Sequence, residues 1–179
     1  GHEMTPCRHC IPEVQFRVVP YAELIAGKIK ALVERRSAAT RDLYDLYRAS
    51  QVDFDDWALL QSIVVHYWTL ADTFPRSLDG SMVERFLGQE RGLESDLFPV
   101  LLPAERPKLG EMVEAVALFL ERLGALSPEQ RKYMDLMAES GEYRPELVFS
   151  PWPEVLERAK SSPAAAWKVH NLQKRGHRH

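Results

Sequence analysis

From Tyr21 onward the apolar positions recur at helical spacing. No proline interrupts 21–36, where Ile25, Ala26, Ile29, Leu32 and Val33 share one broad face of a helix. A short link at 37–40 leads into a second helix over 41–49, with Leu43, Leu46 and Tyr47 at i, i+3 and i+4. Asp53 or Asp55 is placed to cap a long helix over 57–71 that is apolar almost all round, the signature of a buried helix. Prolines and glycines break 73–107 into short pieces, with one helix expected at 81–87. An amphipathic helix follows over 108–123, stopped by Gly124. Ser127-Pro128-Glu129-Gln130 opens the next helix as a capping box with proline at its first position, and Gly141 ends it. Further helical turns start at Pro153 and Pro163. Only 14–19, Val-Gln-Phe-Arg-Val-Val, alternates with period two and reads as a strand. The pattern predicts an all-α multi-helix bundle of about seven helices with one short N-terminal β-strand. That strand has no evident partner within the chain, so pairing with a second copy, as a homodimer, is one way to satisfy it.

Composition narrows the class. The 179 residues are 45% hydrophobic and 27% charged, with a formal net charge of −3, which disfavours disordered, collagenous and coiled-coil proteins. No apolar run approaches the roughly 18 residues that span a bilayer, so no membrane role is expected. The N-terminus lacks a signal-peptide apolar stretch, which points to the cytoplasm. Gly1-His2 looks like the remnant of tag removal, and 1–13 reads as irregular. The expected domain is therefore 14–173, followed by a basic tail at 174–179.

The densest chemistry lies between Leu24 and Tyr47. At about 100° per residue, Lys28 and Arg35 fall within about 20° of each other, two turns apart, with the small Ala31 between them. Lysine suits a point-charge contact to phosphate and arginine a bidentate one. On the next helix Asp42 and Asp45 are spaced i, i+3, and Arg41 and Asp45 i, i+4, so the three can share one side. If the link at 37–40 makes an antiparallel hairpin, Asp42 comes near Arg35 and Asp45 near Lys28. Such a cluster suits a nucleotide phosphate and its metal, and it equally suits a salt-bridge network tying two helices together.

This block resembles a known family. Tyr21-Ala22-Glu23-Leu24-Ile25-Ala26-Gly27-Lys28-Ile29-Lys30-Ala31-Leu32, then Arg35, then Arg41-Asp42-Leu43-Tyr44-Asp45-Leu46-Tyr47, is similar to the "A-E-K-L-x-A-L…R…R-D-L-Y-D-L" block of AbiEii/AbiGii-type nucleotidyltransferase toxins. The stretch from Ser162 to Leu172 resembles their "H-P-x-x-x-W-K-x-x-N" close, and Gly27 stands where the family usually has Glu. The resemblance implies a polymerase-β-like enzyme that transfers a nucleotide from NTP with Mg²⁺, acting in a toxin–antitoxin or phage-defence pair. An antitoxin protein and an RNA acceptor, tRNA among them, would be its partners. Lys28 and Asp42 would be its catalytic residues, with Arg35, Arg41 and Asp45 binding phosphate or supporting. The family's metal signature, Gly-Ser followed some ten residues later by Asp-x-Asp, has no counterpart here: Gly80-Ser81 lacks it, and Asp53-Phe54-Asp55 precedes that glycine at a helix cap. The expectation is a helical C-terminal portion of such an enzyme, without a metal site and inactive alone. The competing class is a stand-alone helical interaction module for a protein or RNA.

Other candidates carry less. Cys7-Arg8-His9-Cys10 offers no second pair for zinc, and His177 and His179 complete it only if the termini meet. His66, beside Tyr67 and Trp68, reads as a hydrogen-bonded core histidine. Beyond Glu157, the last acid, come six Lys/Arg and three His, a basic end that is either solvated or touches RNA phosphates.

Overall fold

A computed structural model describes residues 19–35, 39–71 and 77–176, the side chains of 175 and 176 excepted. The strand expected at 14–19 falls outside these residues except for Val19, which is not in a strand, and so does the Cys7–Cys10 run. Everything regular among the described residues is helical: α1 Tyr21–Glu34, α2 Thr40–Ser50, α3 Trp57–Thr69, α4 Ser81–Glu84, α5 Glu90–Gly92, α6 Leu109–Gly124, α7 Pro128–Ser140, α8 Glu146–Phe149, α9 Pro153–Lys160 and α10 Pro163–Gly176. The all-α expectation holds, with more helices than the seven expected because α5 and α8 are single turns too short to show a period.

The packing follows the apolar stripes. α1 buries Ile25, Ala26, Ile29 and Leu32 chiefly against α3, whose own burial of Leu60, Ile63, Val64, Val65 and Trp68 matches its all-round apolar sequence. α2 sets Leu43 and Leu46, both fully buried, against α6. Burying each such leucine contributes roughly 2 kcal/mol. An aromatic chain fastens the start of α1 to α6: Tyr21 stacks on Phe54 at 5.8 Å, Phe54 on Phe119 at 6.3 Å, and the Arg122 guanidinium sits 3.7 Å over Trp57. α10 docks by burying Ala165 and by the Lys168 ammonium, which donates to the Ala71 carbonyl at the end of α3.

Several boundaries differ from the sequence expectation, each for a local reason. The cap of α3 is Asp56, not Asp53 or Asp55. Its Oδ1 accepts from the Leu59 N–H at 2.9 Å, a bond that requires the acceptor three residues before the donor. The other oxygen, Oδ2, accepts from the Trp152 indole at 2.8 Å and ties α9 to the same point. α4 ends at Glu84, earlier than the expected 81–87, and the chain then turns through Gly88 at φ 82°. α6 ends at Gly124, within a residue of the expected stop, and that glycine also does something the pattern did not foretell. Its role is close approach, because a Cβ there would lie 2.0 Å from the Leu78 carbonyl oxygen. The capping box at Ser127 and Gln130 forms as expected, and Gly141 terminates α7 in the left-handed region at φ 65°.

Candidate functional site

α1 ends where its last turn meets the start of α2. The antiparallel arrangement brings Asp42 against both expected cations. The Lys28 ammonium donates to Asp42 Oδ1 at 2.9 Å and pairs with Asp45 Oδ2 at 2.7 Å, while the Arg35 guanidinium donates to Asp42 Oδ2. Arg35 lies one residue beyond the helix, but its N–H still reaches the Ala31 carbonyl at 3.0 Å, which keeps its Cα in helical register. The Asp42 carboxylate is buried, 8% exposed, whereas the side chains of Lys28 and Arg35 are 39% and 53% exposed. Hydrogen bonds that Lys28 donates to Asp45 and then to Asp42 raise its pKa and hold it charged.

Arg41 does not join this cluster by pairing with Asp45. It turns the other way, and its Nε donates to the Asp96 carbonyl at 2.8 Å. Lys28, Arg35, Thr40, Arg41, Asp42 and Asp96 line an open pocket of about 480 Å³. Two residues that shape this end of α1 and α2 were not legible in the sequence. Thr40 Oγ1 donates to the Gly92 carbonyl at 3.2 Å, and Gly92 admits the Thr40 methyl because a Cβ there would stand 3.0 Å from it. Arg85 also escaped notice: its guanidinium donates to the carbonyls of Leu32 and of Arg35, the latter at 2.8 Å. It satisfies the end of α1, which has no basic residue of its own in the last turn. Arg85 sits 50 residues from Arg35 in a segment with no periodicity, so no local signal could find it.

The family model for the nucleotidyl transferase AbiEii toxin of type IV toxin–antitoxin systems matches residues 2–155, most of the chain and all of this site. The chain belongs to the AbiEii nucleotidyltransferase toxin family. No curated protein and no solved structure matches it significantly. The AbiEii match ends before the Ser162–Leu172 block, so that second resemblance stands on its residues alone. Membership in a toxin–antitoxin family implies an antitoxin as a partner and NTP with Mg²⁺ as the reactants of the family's chemistry.

The donor set described here does not fit the metal of an AbiEii-type reaction. Two-metal nucleotidyl transfer needs several carboxylate oxygens free to ligate. Asp42 and Asp45 are already neutralised by Lys28 and Arg35, and among the described residues no three His, Cys, Asp or Glu converge. Gly80-Ser81 opens α4, where Gly80 lets that helix close on Ala117 (a Cβ would stand 2.9 Å away) and Asp79 accepts from the Ser81 N–H at 3.0 Å. Those bonds give the pair a structural role in helix packing. Among the described residues no helix is long and apolar enough to cross a membrane.

Proposed function

We propose that this helical body supplies the cationic side of a nucleoside triphosphate site in an AbiEii-type nucleotidyltransferase. Lys28 and Arg35 take phosphate oxygens, and Asp42 holds the two cations side by side. Asp45 and Arg41 support the pocket's walls. The observation that carries this reading is the convergence of two half-exposed cations on one buried carboxylate at the mouth of an open pocket. An ammonium has three N–H donors and a guanidinium five, so each can add a phosphate oxygen from the solvent side while the buried Asp42 keeps its ion pairs. In this reading the Mg²⁺ carboxylates belong to the Gly-Ser…Asp-x-Asp signature, which these 179 residues do not contain, and the helical body alone is not catalytic. The acceptor is an RNA end.

Titrating a fluorescent NTP into the chain tests the first part. Lys28→Ala and Arg35→Ala should each weaken binding about ten-fold, the loss of one charge-assisted contact, with helix content unchanged. Mixing the 179 residues with Mg²⁺, labelled NTP and RNA tests the second, and robust transfer by this chain alone would overturn it. The second reading, a stand-alone interaction module, draws on the same ion pairs as a structural lock between α1 and α2. Under it, Lys28→Ala lowers stability and leaves NTP binding untouched.

A further inference from the structure

α1 carries a second polar group away from the site just described. Lys30 is two residues beyond Lys28, about 200° round the helix, and so faces the other way. There it lines a depression of about 510 Å³ with His66, Tyr67 and Leu70 of α3 and with Ser162 and Trp167 from the start of α10. A second depression of about 360 Å³ shares His66, Tyr67 and Ser162, so the two form one continuous groove. Volumes in this range are those of small-molecule sites.

His66 sits at the junction. It is 7% exposed, and its Nδ1 lies 3.0 Å from the Tyr133 hydroxyl. Thr69 gives its hydroxyl proton to the His66 carbonyl at 2.7 Å and stands 3.4 Å from the Tyr133 hydroxyl, so we assign Tyr133 as donor along its shorter contact, to His66 Nδ1. With that assignment the neutral imidazole carries its proton on Nε2. Among the described residues no hydrogen bond to Nε2 forms, and the ring borders both depressions. A buried ring thus presents one N–H donor to the groove. Beside it stand the Lys30 ammonium, paired with Glu34 one turn on in its own helix, and the Trp167 indole, 62% exposed. Among the described residues no acid lines the larger depression, and the one in the smaller, Glu23, is paired with Arg158 at 2.5 Å.

We propose that this groove binds a nucleoside monophosphate unit, its base laid against Trp167 and Tyr67 and its phosphate oxygens accepting from His66 Nε2–H and Lys30. The ligand has to offer both a flat ring and acceptor oxygens, because the described walls offer aromatic faces, donors and a cation, and the described carboxylates beside them are paired. The inference does not rest on the Lys28 site.

The unit could be free or could be an unpaired nucleotide in an RNA strand, and the two sources are separable. The test follows the Trp167 indole N–H and the His66 ring by NMR while AMP, adenosine, inorganic phosphate or a short unstructured oligoribonucleotide is added. Both resonances should shift saturably with AMP, with the oligoribonucleotide, or with both, and the tighter of the two identifies the source. Adenosine and inorganic phosphate should each bind at least ten-fold more weakly than the tighter ligand. Trp167→Ala and Lys30→Ala should each weaken that ligand about ten-fold, the worth of one stacked ring or one charged contact, with the melting temperature unchanged. Lys28→Ala should leave these shifts in place. Absent shifts at both resonances would overturn the proposal, as would shifts that vanish with Lys28→Ala and survive Trp167→Ala; neither result bears against NTP binding at Lys28.

Discussion

Acidification should expose His66 as the residue that sets the chain's mild-acid stability. Burial among Tyr67, Tyr133, Tyr143 and Phe149 denies an imidazolium its hydration and pulls the pKa of His66 down from its ordinary 6.5 to about 4. The described charges lining the groove around it are paired, Glu23 with Arg158 and Lys30 with Glu34, and give a protonated ring no net partner. Between pH 6.5 and 4 the unfolded chain therefore holds a proton that the folded chain refuses. The stability contributed by the neutral ring is complete above pH 6.5 and drains away as the pH falls towards 4. Linkage puts the whole loss at about 3 kcal/mol and the share already lost at pH 5 at about 2 kcal/mol. For a chain of this size that share corresponds to roughly 4–8 °C of melting temperature. Urea unfolding at closely spaced pH values from 7.5 to 5, on the wild type and on His66→Gln, measures it. The glutamine variant pays a constant packing cost but has no proton to exclude, so the gap between the two curves should narrow by about 2 kcal/mol as the pH drops to 5. A gap constant to within about 0.5 kcal/mol would refute a histidine held neutral by burial, as would a ring that titrates by NMR near its ordinary value.

Three further substitutions probe the frame around the sites. Asp42→Ala should cost about 1–2 kcal/mol in urea unfolding, less than a fully buried pair, because Lys28 and Arg35 are exposed enough to rehydrate once their carboxylate is gone. Gly124→Ala should cost about 3 kcal/mol or more, since its methyl collides with the Leu78 backbone carbonyl and neither backbone can yield cheaply. A cost under 1 kcal/mol would mean that α6 and the 77–78 segment do not approach as described. Arg85→Ala should lower stability by about 1 kcal/mol and speed amide exchange in the last turn of α1, leaving that of α7 unchanged.

What could be read from the sequence is what depends on residues a few positions apart. The apolar stripe of α1, the capping box at Ser127 and the left-handed Gly141 are local decisions, and all three appear as spacing foretells. The meeting of Lys28, Arg35, Asp42 and Asp45 needed only one long-range assumption, that the link at 37–40 reverses the chain. The region from α4 to the start of α6 was opaque because its conformation is set from outside. Gly92 is shaped to Thr40, Arg41 is anchored at Asp96, and Arg85 closes α1 across half a hundred residues. The cap of α3 was missed by a single residue, which periodicity cannot resolve because Asp53, Asp55 and Asp56 all precede the same apolar run.

The same distinction explains why α1 can serve two sites while its sequence announces one. Lys28 and Lys30 are chemically alike, and a helical wheel separates them by angle without saying what stands opposite each. Lys28 faces carboxylates on the very next helix, so its surroundings were inferable from a hairpin. Lys30 faces walls built from α3 and from α10, whose first residues lie at the far end of the chain. His66 follows the same logic: its burial was written in α3, but the free edge of its ring is defined by Tyr133 on one side and the arrival of Ser162 and Trp167 on the other. A histidine that is both a core residue and a groove donor is therefore no contradiction. With Tyr133 assigned as donor to one nitrogen, the proton of the neutral ring sits on the other.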